Sequence, residues 1–258
     1  MPLRSLDELR ALFGEYLAEL SFAQELGKLE EALRYSLESG GKRIRPVLCL
    51  AVAEAAGGEL ENALPAAAAI ELAHTFSLVH DDLPSLDDDD LRRGRPSAHV
   101  AFGEGAALLA GDALLAEAFG QALTYPTPRP ARELARATLG MIGGQFRDVS
   151  GDDGDLAELH RLKTGRLFAA AVGLALEAAG VPEEEQQRWR AFGEELGLLF
   201  QVVDDILDDD GFAARLGSDG ARALVDEAAG RARSRLDDIG ADTSVLRDLV
   251  DALAVRSG

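Results

Sequence analysis

The chain has a single cysteine, Cys49, so no intrachain disulfide can form, and a buried free thiol in a reducing, cytoplasmic setting is expected. Aromatic residues are scarce, at 5% of 258 residues, while alanine and leucine dominate, which favours helix over strand. No apolar run approaches the roughly 18 residues needed to cross a bilayer. The longest candidate, Ala106 to Phe119, is broken by Asp112 and Glu117. Met1 to Glu15 lacks the basic start and apolar stretch of a secretory signal, so a soluble protein without stable membrane insertion is expected. Positive charge is short as well: 26 Lys and Arg against 46 Asp and Glu leave a net charge of -20. Nucleic acid and anionic membrane surfaces are therefore poor partners. Lysine runs out early, Lys163 being the last in the chain.

Against this background, residues 80–96 stand out: six aspartates fall within ten residues, Asp81 to Asp90, and three arginines follow at once. The apolar run from Ala66 to Val79 predicts a helix, so Asp81 and Asp82 sit at its C-terminal end. The macrodipole there disfavours each anion by about 0.3 to 1 kcal/mol, and a cation is expected nearby. The arrangement recurs, for Leu196 to Val203 is apolar and runs into Asp204-Asp205-Ile206-Leu207-Asp208. Asp204 and Asp208 are four residues apart and share a helix face, about 6 Å from each other. Paired carboxylates are hard ligands that suit Mg2+, whose remaining positions take water and phosphate oxygens. Arginine forks match phosphate in turn. Two acidic helix ends holding a diphosphate through Mg2+ is the chemistry these patterns point to.

The segments DDLPSLDDDDLRRGRPS (81–97) and FQVVDDILD (200–208) resemble the two aspartate-rich motifs of the trans-isoprenyl diphosphate synthases, or polyprenyl synthetases. The similarity runs over roughly residues 25 to 210, in the family's motif order. It implies one all-α domain over residues 1–258, a bundle of ten or more helices around a central cavity, assembled as a homodimer. It also implies about three Mg2+ ions held by Asp81, Asp82 and Asp87 on one side and by Asp204, Asp205 and Asp208 on the other. Isopentenyl diphosphate would meet Lys42 and Arg45 of GGKRIRP (40–46), His74 and Arg93; for His74, a satisfied core histidine is the competing reading. The allylic diphosphate (dimethylallyl, geranyl or farnesyl) would meet Arg92 and Lys163, with Thr164 placing the carbocation. Gln145, Phe200 and Gln201 would line the pocket. Arg95 has no assignment, and the run Asp152 to Asp155 reads as a solvated loop.

The expected reaction is a 1'-4 head-to-tail condensation. Phe76 lies five residues before Asp81, about 7.5 Å down the helix, and an aromatic there resembles members that stop at farnesyl diphosphate. Small Ser77 beside it keeps geranylgeranyl diphosphate as the alternative product.

Beyond Asp210 the chain departs from the family. A Gly-Lys pair is usual there, but Leu216-Gly217-Ser218 stands in its place, and a second Gly-Lys segment is missing ahead of the helix expected over 221–239. Arg215 is the nearest replacement. Loss of those lysines motivates a further alternative, a non-catalytic subunit that binds a catalytic prenyltransferase. A terpene cyclase would not need GGKRIRP, and a di-iron bundle wants two Glu-x-x-His pairs where this chain has one, Glu71 to His74.

Overall fold

The computed structural model describes residues 3–151, 158–159, 161–208 and 211–257. Helix α1 (Leu6–Glu19) starts at a capping box, in which Ser5 and Glu8 satisfy each other's backbone N–H groups. A 3-10 turn over Gln24–Leu29 leads into α2 (Glu30–Leu37). Then follow α3 (Ile44–Ala55) and α4 (Leu60–Asp81).

Helix α4 is the axis of the bundle, packing along α6 (Glu104–Ala122) and against α3 and α8 (Arg166–Ala178). Its residues are buried on every side, including Ala66 to Ala69, Ile70, Leu72 and Ala73. A helix apolar all round belongs inside a bundle, and alanine lets its neighbours come close. Near its start, Tyr125 reaches in from the loop before α7 (Arg129–Val149). The Tyr125 hydroxyl accepts from the Ala66 N–H at 3.1 Å and donates to the Asn62 carbonyl at 2.6 Å. That pair is the i, i-4 bond of a regular helix, and the hydroxyl bridges it beside Pro65.

The all-α architecture agrees with the composition, with corrections in detail. The apolar run over 98–123 predicts one long helix, but it is broken at Gly103, whose φ of 89° ends α5 (Ala98–Phe102) before α6 begins. The apolar run over 159–179 also predicts a helix, which opens as a π-helical turn, Arg161–Gly165, ahead of α8. Helix α9 (Gln187–Asp208) carries the second acidic motif, and its Trp189 and Phe192 are core residues. Helix α10 (Gly211–Asp237) kinks at Gly217, φ 73°, and α11 (Ser244–Ala254) ends in a 3-10 turn, Val255–Ser257. Composition gave no sign of the antiparallel pair β1 (Leu91–Arg92) and β2 (Arg95–Pro96). No helix among the described residues is long and apolar enough to cross a membrane.

Removing the hydroxyl that bridges α4 should loosen its first turns. Tyr125→Phe is expected to cost about 1 kcal/mol and to lower Tm by about 2–4 °C, checked by differential scanning calorimetry.

Candidate active site

The first acidic motif splits into residues that face a cavity and residues that hold the scaffold. Asp82 caps the end of α4 at 2% exposure and pairs with Arg92, whose Nε donates to it at 2.8 Å. Arg92 also reaches Asp89 at 3.2 Å. This guanidinium is the cation that the end of α4 requires. Arg92 lies on the two-strand hairpin, whose turn residues Arg93 and Gly94 both have positive φ, 55° and 77°. The hairpin is tied to α2 by the Tyr35 hydroxyl, which donates to the Pro96 carbonyl at 2.7 Å, and by Arg95 stacked 4.3 Å over the Tyr35 ring. Arg95 is thus a scaffold residue.

The turn directs Arg93 back onto the glycine pair. Its guanidinium donates to the Gly40 carbonyl and lies where a Cβ on Gly41 would sit, 2.3 Å away. Gly41 has a φ of 113°, so the backbone demands glycine there, and a side chain would also displace the guanidinium. Arg43, left-handed at φ 50°, precedes α3 and pairs with Glu71, itself 3% exposed. Arg45 is half-buried between the rings of Phe168 and Phe200, at 4.6 and 5.2 Å, and desolvation of its guanidinium lowers it to about 10. Its Nη1 donates to His74 Nε2 at 3.2 Å, and because arginine only donates, that nitrogen is an acceptor. Burial, reinforced by Arg45, holds His74 well below its ordinary range, so the ring is neutral.

These groups line a cavity of about 680 Å3 with six cations on its wall: Lys42, Arg43, Arg45, Arg92, Arg93 and Arg256. Its lining carboxylates are Glu71 and Asp204. Arg256 comes from the turn after α11, and no motif marks it in the sequence. Arg215, the expected replacement for the missing lysines, is not among the lining residues. Burial and then Arg256 depress the Lys42 ammonium, while Asp204 raises it.

A second cleft, about 490 Å3, shares Arg45, His74, Arg92, Phe200 and Asp204 with the first. It brings together Asp81, Asp87, Gln145, Lys163, Thr164, Phe76 and Ser77, with Met141, Leu167 and His80, which sequence reasoning had left out. Gly144 lets α7 touch the π-helical turn, since a Cβ there would lie 2.6 Å from the Lys163 nitrogen. Lys163 pairs with Asp148 across that contact. Both side-chain atoms of Gln145 are buried without a hydrogen-bond partner, a free donor and acceptor in the cleft wall.

The second acidic motif repeats the division of labour. Asp204 lines both cavities. Asp205 is buried and turned away: it accepts from Gln201 Nε2 at 2.5 Å and from the Phe212 N–H at 2.8 Å, capping α10. Gly211 makes the room, because a Cβ there would lie 2.1 Å from Asp205 Oδ2. Gln201, expected on the pocket wall, is taken up by Asp205. The Asp208 side chain and the run Asp152 to Asp155 lie outside the described residues. Among the described residues no three His, Cys, Asp or Glu side chains converge on one metal position. The pocket-facing donors Asp81, Asp87 and Asp204 are hard oxygens all the same, the type that suits Mg2+.

Burial pushes the Asp81 carboxyl up to about 6, with Asp87 and Asp82 adding to the rise and Lys163 and Arg92 opposing it; burial raises Asp87 too. An acid raised in the folded state holds a proton that the unfolded chain has lost. Its contribution to stability is therefore full below about pH 4 and disappears as pH rises through about 6. In chelator at pH 7.5, Asp81→Asn should be more stable than the parent by up to about 3 kcal/mol. The gap should close below pH 4, as read from Tm across pH.

The polyprenyl synthetase family model matches residues 27–222. The heterodimeric geranylgeranyl pyrophosphate synthase large subunit 1 of Arabidopsis thaliana is 46% identical over 217 residues, covering 77% of this chain and 58% of its own. Geranylgeranyl pyrophosphate synthase 7 of the same plant is 46% identical over 77% of this chain and 62% of its own. The chain thus spans less than two thirds of the length of these curated relatives. Among solved structures, a geranyltransferase from Legionella pneumophila superposes with a TM-score of 0.85 at 34% identity, covering 98% of this chain and 96% of its own. With the family model covering both acidic helix ends and the glycine-arginine segment, the chain belongs to the polyprenyl synthetase family.

Proposed function

We propose that this protein is a trans-prenyltransferase that condenses isopentenyl diphosphate with an allylic diphosphate, and that residues 1–258 act as one unit in doing so. The observation that carries this reading is the pair of joined cavities, one walled by guanidinium groups and one by carboxylates and apolar side chains. Lys42, Arg45, Arg93 and Arg256 hold the isopentenyl diphosphate head, with neutral His74 fixing Arg45. The allylic diphosphate lies in the second cleft, where Lys163, Arg92 and the orphan amide of Gln145 meet its oxygens. Asp81, Asp87, Asp204 and Asp208 would hold Mg2+, about three ions, and Asp82 and Asp205 would support that set. When bound, Mg2+ would neutralise the allylic diphosphate and make it a better leaving group.

The chain's own residues do the rest. Thr164 and the apolar wall of Phe76, Leu167 and Phe200 surround the carbon centre and keep water from it. The isopentenyl double bond forms the new bond, and the proton released from it passes to the departing diphosphate.

Geranylgeranyl diphosphate is the product the comparisons favour over the farnesyl diphosphate expected from Phe76, since both plant relatives carry that name. Phe76 is one of several side chains on the cleft wall. Its ring stands edge-on to His80, and the cleft wall continues through Ile142 and Phe146, 47% and 71% exposed. Exposed Val100, Phe102, Leu108, Leu109 and Leu139 support a homodimer as the assembled form. A buried free Cys49 suits a cytoplasmic setting.

Product analysis after incubation with Mg2+, isopentenyl diphosphate and each allylic primer tests this reading. A twenty-carbon product is expected, reduced roughly 10²–10³-fold or more by Asp81→Ala. A fifteen-carbon end product would restore the farnesyl assignment. Absence of any product would favour the non-catalytic subunit and overturn the proposal. Arg256→Ala should raise the KM for isopentenyl diphosphate about tenfold or more, leaving that for the primer little changed.

A further inference from the structure

His80, immediately before the acidic motif, occupies a place that the reaction chemistry does not require. Its ring lines the apolar cleft on one side and lies against helix α6 on the other. It stands edge-on to Phe76, with 4.9 Å between centroids and 73° between planes. Behind it, Nε2 donates to the Leu108 carbonyl at 3.0 Å, and Asp112 lies 3.9 Å away. The ring fits because α6 has no side chain at that point. A Cβ on Gly111 would sit 2.2 Å from His80 Nε2 and 2.3 Å from Cδ2. Glycine inside a helix is unfavourable, and here its absent side chain is filled by an imidazole.

We propose that His80, seated on Gly111, is a specificity-determining residue that sets how long a prenyl tail the cleft accepts. This rests on the prenyltransferase reading of the same cleft. The imidazole is the layer between the tail and α6, and it braces Phe76, the aromatic beside it on that wall. Its position is fixed from behind by the Leu108 carbonyl and from the side by the Phe76 ring, so any group added at Gly111 drives it toward the cleft. Volume added at Gly111 therefore appears as volume lost to the tail. Removing the imidazole does the reverse, deepening the cleft to the surface of α6. The effect is steric and needs no change in the protonation of His80.

The test measures binding rather than turnover, using inert prenyl thiodiphosphates of ten, fifteen and twenty carbons in Mg2+ buffer, by calorimetry. Gly111→Ala should weaken the twenty-carbon ligand at least tenfold relative to the ten-carbon one. His80→Ala should shift the same ratio at least threefold toward the long tail, so the idea is tested from the other side if Gly111→Ala folds poorly. In the double variant, the effect of Gly111→Ala should vanish. Equal weakening for all tails, an unmoved ratio in His80→Ala, or a Gly111→Ala effect that persists without the imidazole would overturn the role of His80. A parent protein that binds none of the three ligands would instead overturn the prenyltransferase reading, and with it this inference.

Discussion

The site depends on two arginine–carboxylate pairs whose carboxylates are buried, Arg43 with Glu71 and Arg92 with Asp82. In a chain of net charge -20, six cations gather on one cavity wall, and without internal anions their mutual repulsion would scatter them. Glu71 lies on α4 and Asp82 caps its end, so the wall is pinned to the helix at the axis of the bundle. Such pairs seldom stabilise a fold better than apolar packing would, and breaking one leaves a buried charge at a cost of about 3–5 kcal/mol. What they provide here is position. Arg92 brings the hairpin to the end of α4, the hairpin turn brings Arg93 to the glycine pair, and the left-handed Arg43 starts the helix that carries Arg45.

The same dependence explains what was legible beforehand. The helix ends at Asp81 and Asp208 follow from apolar runs stopped by charge, and the cationic wall at GGKRIRP follows from glycine and arginine chemistry. The choice within each Asp-Asp pair did not follow. Asp82 and Asp205 are turned to the scaffold by Arg92, ten residues on, and by the backbone at Phe212, seven residues on. Neither partner is coded in helical periodicity. A hairpin of two-residue strands leaves no alternation to read. The break at Gly103 needed a single positive φ, which a glycine in an alanine-rich run permits without announcing it. Arg256 is the extreme case, since its place on the cavity wall depends on how α11 packs across the bundle.

His80 was passed over for a related reason. A histidine beside an acidic motif invites a chemical role, yet its neighbours are a ring edge, a carbonyl and a missing Cβ on another helix. Only the last of these distinguishes a wall from a reacting group, and no single-sequence pattern reports that residues 80 and 111 touch.

On the proposed reading, the two joined cavities solve one electrostatic problem in two ways. Both ligands have diphosphate heads, so charge alone cannot sort them. The guanidinium wall binds such a head directly, through rigid forks whose counter-ions, Glu71 and Asp82, are already engaged. The carboxylate wall repels it unless cations intervene, and burial raises Asp81 to about 6 even with Lys163 and Arg92 nearby. A head group arriving with its own Mg2+ is therefore drawn to the carboxylates, while a bare one is drawn to the arginines. The apolar cleft opens beneath the carboxylates, so only the ligand sorted to that side can place its tail there. Asp204 lines both cavities, which puts the boundary between the two modes of binding at one side chain, where the reacting carbons of the two ligands must meet.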